Sequence, residues 1–197
     1  MNKYSLTELP MRPNKSKVPL ENAALELFVQ KGVAETSVRD IAAKANIAEG
    51  TLYRHYPSKE AFARHLYQNA AAKISSDISA INADSGDLES CVSTLVIYFC
   101  TLFDEEKTTF SYVLLTPAPT LKLLEVGNVH PARQLADIMG ERLKKRNQTD
   151  RLPALIAAEV LGAITGVAHQ VQLGVLRDSM GAYADDLMLA VFRILKP

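Results

Sequence analysis

Between Ser37 and Pro57 the sequence starts a helix, stops it, starts a second and stops that one too. Ser37 is followed three residues later by Asp40, the spacing at which a hydroxyl and a carboxylate cap each other's backbone N–H groups. Val38, Ile41, Ala42 and Ala45 mark an inward face, and Arg39, Ala43 and Lys44 an outward one. Asn46 tolerates positive φ better than any residue but Gly, so it predicts a sharp turn. A second short helix over 49–56 sets Leu52 and Tyr56 on one face and leaves Gly50, Thr51, Tyr53, Arg54 and His55 on the others. Pro57 ends it, because the residue before proline avoids helical geometry. Two short helices joined by a tight turn form a helix-turn-helix over 37–56, and the rest of the chain is organised around it.

The flanking sequence is helical as well. Pro19 suits a first turn and Gly32 a left-handed stop, which predicts a helix from about Val18 to Lys31 with Ser16 as its cap and Ala24, Leu27 and Phe28 inward. Residues 1–15, with Pro10, Pro13, Lys3, Arg12 and Lys15, read as a flexible arm. Ser58 caps a long helix to about Ile81, whose apolar edge is Phe62, Leu66, Ala70, Ile74 and Ile78. After a turn cluster at 82–86, helices are expected over 87–103, 107–115, 121–126, 131–146, 152–176 and 182–195. No segment alternates with a strand period, so the fold class is all-α.

Bulk properties narrow the function. Residues 1–73 hold 11 Lys and Arg against 7 Asp and Glu, and residues 74–197 hold 11 against 15. A basic front and an acidic rear, +4 and −4, suggest that only the front meets a polyanion. Cys91 and Cys100 lie nine apart on one helix and so on opposite faces, which predicts two buried reduced thiols rather than a disulfide. The opening residues contain no apolar run, and the longest apolar-looking stretch, Val92 to Phe103, is too short to span a bilayer, so a soluble cytoplasmic protein with no membrane partner is expected. The four histidines are scattered and no nucleophile motif or phosphate loop appears, so no metal, no cofactor and no enzymatic activity are expected.

The second short helix has the dimensions of a major-groove reader. Arg39 can fork onto guanine or onto phosphate. Gly50 and Thr51 lack bulk, so the backbone can approach base edges, and the Thr51 methyl can meet a thymine methyl. Tyr53 and His55 can donate to phosphates, and Lys59, in the first turn of the long helix, can hold one together with the exposed N–H groups there.

The runs AALELFVQKG (23–32), TSVRDIA (36–42) and GTLYRHYPSKEAF (50–62) resemble the DNA-binding domain of the tetracycline-repressor (TetR) family, over about residues 18–64. The resemblance implies a three-helix DNA-binding domain at 16–64 and a larger helical domain at 65–197 that binds an effector and dimerises. It implies DNA contacts from Arg39, Gly50, Thr51, Tyr53, His55 and Lys59, and Ser37, Ala48, Glu49 and Arg54 beside them complete the expected DNA-binding surface. Two positions depart from the pattern: Asn46 replaces the usual turn glycine, and Ala48 replaces the usual capping Ser or Thr, at a cost of roughly 1 kcal/mol.

In the C-terminal part, Ala158, Gly162 and Gly166 make a small-residue stripe that lets another helix approach. The last helix has two apolar edges, one through Tyr183, Leu187, Val191 and Ile194 and one through Met188, Phe192 and Leu195, which asks for a partner outside its own core. By the resemblance that partner is a second copy. Tyr98, Phe99, Phe103, Phe110 and Tyr112, with His169 and Gln170 as polar anchors, are the expected lining of a pocket for a small apolar or amphipathic effector. The expected function is a homodimeric, ligand-responsive repressor on a palindromic operator of double-stranded DNA. The alternatives are a ligand-independent activator, a partner-protein sensor, or an all-α enzyme that uses the head for packing.

Overall fold

The computed structural model describes residues 17–127, 130–147 and 150–196. The arm at 1–15 and the Ser16 cap lie outside the described residues. The described residues are helical and contain no strand. The head comprises α1 (Lys17–Lys31), α2 (Val38–Ala45) and α3 (Gly50–Tyr53), and the long helix α4 (Lys59–Asp84) leaves it. Then come α5 (Leu88–Glu105), α6 (Lys107–Leu114), α7 (Ala118–Leu123), α8 (Pro131–Lys145), α9 (Pro153–Gln172), a 3-10 turn (Met180–Tyr183) and α10 (Ala184–Leu195).

The punctuation works as its chemistry requires. The Ser58 hydroxyl accepts from Ala61 N at 3.0 Å, which opens α4, and Asp87 and Ser90 form a capping box at the start of α5. Gly32 takes φ 86° after α1. Several boundaries differ from expectation, with α4 running on to Asp84 and α9 ending at Gln172. The helix placed at 121–126 begins at Ala118, because proline is accommodated in a first turn, and Pro119 sits there. A 3-10 turn takes the first residues expected of α10. Regular α geometry in α3 spans only Gly50–Tyr53, though Glu49 and Arg54 keep helical dihedrals and Tyr56 N still bonds to the Leu52 carbonyl.

One continuous core runs from the head into the rear domain. Phe62, Leu66, Ile74 and Ile78 supply the inner edge of α4 as expected. Cys91 and Cys100 are free and buried, and burial, helped by nearby Asp104, pushes the Cys100 thiol up to about 11. Phe99, Phe103, Phe110 and Tyr112 are each at most 2% exposed. They form packed core, with Phe103 edge-on to Phe110 at 5.2 Å and Tyr112 stacked on Phe28 of α1 at 5.9 Å. The half-buried Tyr98 donates its hydroxyl to Asp77 of α4 at 2.9 Å.

The two ends of α4 are held differently. At its far end the buried Arg142 of α8 donates to the carbonyls of Asn82, Ser85 and Asp87 and to the Asn82 side chain. Gln134 of α8 donates to the Ser75 carbonyl at 2.8 Å. Nearer the head, Arg64 donates to the Leu124 carbonyl at 2.8 Å and pairs with Glu125, while the Tyr112 hydroxyl donates to the Ala63 carbonyl. α6 and the end of α7 are thus bonded directly to the start of the long helix.

Helix α9 packs its inner face on α8 and α10 and is long and apolar enough to cross a membrane by length and composition alone. That corrects the expectation that the longest apolar stretch was Val92 to Phe103. Only 33% of its apolar window is buried within the subunit.

Candidate DNA-binding interface

Three local devices hold the α2–α3 unit. Ser37 Oγ accepts from Asp40 N at 3.1 Å, and the Asp40 carboxylate accepts from Ser37 N at 3.2 Å and from Lys31 Nζ at 2.7 Å. The Lys31 ammonium and the Ser37 hydroxyl together lower the Asp40 carboxyl to about 2. Asn46 takes φ 54° and ψ 48°, the left-handed geometry expected of it, and Ile47 N closes the turn on the Ala42 carbonyl at 3.0 Å. Beneath both helices, Leu52 and Ile41 are at most 1% exposed, and Tyr56 packs on Phe62 with ring centroids 4.6 Å apart.

The outer surface is then Ser37, Arg39, Ala48, Glu49, Gly50, Tyr53, Arg54 and His55, all exposed. Tyr53 is 57% exposed. A Cβ built on Gly50 would meet nothing within 4 Å, so the helix is bare there without any packing need for it. Glu49, just before α3, already has helical dihedrals and makes no side-chain cap bond, which moves the capping role back to Ala48, a residue with no side-chain acceptor to offer.

Two expected contact residues sit otherwise. Thr51 is 4% exposed, and its hydroxyl accepts from Arg54 Nη2 at 3.0 Å. Lys59 folds back onto the head and donates Nζ to the carbonyls of Thr36 at 2.8 Å and Ala34 at 3.2 Å. Two of its three N–H donors therefore hold the α1–α2 turn, which a free carbonyl pair in that turn made possible and which spacing alone did not reveal.

Residues 21–66 match the family profile described as bacterial regulatory proteins, tetR family. The head carries a TetR-family DNA-binding domain. Over 47 residues the chain is 49% identical to YuxN of Bacillus subtilis, an uncharacterised HTH-type transcriptional regulator, covering 24% of the chain and 16% of YuxN. Against MftR of Mycobacterium tuberculosis, a transcriptional regulator named for mycofactocin biosynthesis, identity is 27% over 183 residues, with 85% of the chain and 90% of MftR covered. The first relatives are matched over only part of their length, 38% of YvkB from Bacillus subtilis and 16% of YuxN.

Likeness to solved structures extends over nearly the whole fold. A TetR-like transcriptional regulator from Rhodococcus superposes with a TM-score of 0.76 at 22% identity, covering 94% of the chain and 98% of that protein. FadR from Bacillus subtilis, solved with stearoyl-CoA, superposes with a TM-score of 0.73 at 14% identity, covering 89% and 97%.

In the rear domain the expected residues divide. Ala158, Gly162 and Gly166 are exposed along α9, flanked by Leu155 and Leu173 at 54% and 62%. On α10, Leu187, Val191 and Leu195 are at most 5% exposed and belong to the subunit's own core. Tyr183, Met188, Phe192 and Ile194 are half-buried, and the latter three pack against that core. The outward apolar residue of α10 is Leu189, 58% exposed, which the sequence reading passed over. His169 and Gln170 lie on the exposed face of α9 and do not join the aromatic cluster. Because α9 is apolar on most of its circumference, its pattern did not reveal which face turns inward.

Proposed function

We propose that the chain is a homodimeric, ligand-responsive transcriptional repressor acting in the cytoplasm on a palindromic operator. The observation that carries this reading is the outer surface of α2 and α3. Arg39, Tyr53, Arg54 and His55 surround a bare Gly50 backbone there, on helices pinned by their own caps and a shared core. Such a surface fits a major groove, with cationic and hydroxyl donors at the phosphate walls and small residues against the bases.

The exposed face of α9 supports the dimer. Leu155, Ala158, Gly162, Gly166 and Leu173 form an apolar strip whose small residues let a second α9 approach. Two heads held by such a dimer would reach successive major grooves about 34 Å apart. Effector control would run through α6 and α7, whose bonds to Ala63 and Arg64 meet the start of α4. A ligand shifts the head only as far as its affinities for the two states differ.

The filled aromatic cluster favours a second reading, in which the regulator responds to no ligand at that cluster. The test of DNA binding is retention of genomic fragments by the purified protein at moderate salt, followed by footprinting. Symmetric protection of two half-sites is expected, and no sequence-selective retention would refute the reading.

A further inference from the structure

The acidic rear domain has one basic corner. The last turn of α8, the start of α5 and the last turns of α10 surround an open cleft of ≈ 490 Å³, within the roughly 300–1,000 Å³ of small-molecule sites. Leu189, Phe192 and Leu195 supply its apolar side. Its charged side holds Arg146, Arg193 and Lys196 against a single carboxylate, Glu89, which Arg146 already neutralises at 2.8 Å. The side chains of Arg193 and Lys196 have no hydrogen-bond or ion-pair partner among the described residues. Next to them, Arg151 donates Nη2 to the Ile194 carbonyl at 2.6 Å, while its Nη1 is buried without a partner. An adjoining cleft shares Glu89 and Arg146 and adds Lys145 and Arg142.

Unpaired cations beside an apolar wall select by chemistry. A neutral amphiphile would leave the cations unused, a small inorganic anion would leave the wall wet, and a cation would be repelled. We propose that this corner binds an amphipathic anion, a medium-length alkyl chain ending in a carboxylate or a phosphate. Arg193 and Lys196 hold the head group, and Leu189 and Phe192 cover the chain. The adjoining cleft is lined by Arg142, which holds the far end of α4, so occupancy bears on the long helix by a route separate from α6 and α7. The inference adds an effector site to the proposed function and rests on it for that consequence alone.

The test is calorimetric titration of the full-length protein, without DNA, using decanoate and decyl phosphate below their micelle concentrations. Decanol and acetate serve as controls. Saturable binding of decanoate or decyl phosphate is expected, about tenfold or more tighter than either control; the tighter of the two identifies the head group. The Arg193→Gln, Lys196→Gln double variant should weaken binding about tenfold or more, since both side chains are exposed and their loss leaves the fold intact. Leu189→Ser should weaken it separately, and unchanged melting curves should accompany both. Equal affinity for decanol, an unaffected double variant, or no saturable binding overturns the site. A protein that binds decanoate but retains no genomic fragment refutes the DNA-binding head alone, and the reverse outcome refutes the cleft alone.

Discussion

Ala48 is where the recognition helix lacks support, and restoring a cap there should stabilise the whole protein. Glu49 is helical with φ −53° and ψ −40°, and the first α3 N–H groups have no side-chain acceptor. Thr51 N makes a short-range bond to the Ala48 carbonyl at 2.9 Å, and Leu52 N reaches the Glu49 carbonyl at 3.3 Å. Gly50 N is the donor that a hydroxyl at position 48 would approach first. Replacing Ala by Ser at an N-cap contributes about 0.5–2 kcal/mol, centred near 1. The head shares one core with the rear domain, so that gain counts toward global unfolding. For a chain of this size it corresponds to a rise in Tm of about 2–4 °C. The assay is thermal denaturation of Ala48→Ser beside Ala48→Val, which adds bulk without an acceptor. A rise for Ser and none for Val is expected; equal melting temperatures would refute the assignment of position 48 as the uncapped start of the helix.

Other consequences follow from the same contacts. Tyr112→Phe removes the donor to the buried Ala63 carbonyl and should cost about 1–3 kcal/mol in urea unfolding, with the aromatic packing kept. Asn46→Gly should leave stability nearly unchanged, whereas Asn46→Val forces a branched side chain into left-handed geometry and should cost roughly 1–2 kcal/mol by the same measurement. Asp40 is held near 2, below its ordinary 3.8, so its charge favours the folded state above pH 3.8. That contribution is lost as pH falls through about 2, and acid titration of Asp40→Asn should lack this component.

What was legible in the sequence was punctuation. Ser37 with Asp40, Asn46, Ser58 and Gly32 each act through their own backbone and one or two neighbours, so local chemistry sufficed to place the helices of the head. The side-chain commitments of Thr51 and Lys59 were not legible. Each depends on a partner supplied by the fold: the Arg54 guanidinium for one, and the carbonyls of a turn more than twenty residues away for the other. The rear domain was harder for a different reason. Helix α9 has little polar contrast around its axis, so its rotation is set by α8 and α10, and the exposure of His169, Gln170 and Gly162 follows from that packing. The apolar edges of α10 were read correctly as edges, but both turn toward the subunit's own core, which leaves Leu189 outward.

The central claim is that α3 enters a major groove by its bare backbone at Gly50. A Cβ there meets nothing within 4 Å, so Gly50→Glu should fold as well as the parent or better, because a good helix former replacing a helical glycine gains up to about 1 kcal/mol. The decisive measurement is the affinity of both proteins for the protected genomic fragment at one fixed salt concentration, with their melting curves alongside. The account predicts an unchanged or raised Tm with at least about a hundredfold loss of DNA affinity, as bulk and negative charge enter the groove. Undiminished binding by a well-folded Gly50→Glu protein would contradict it.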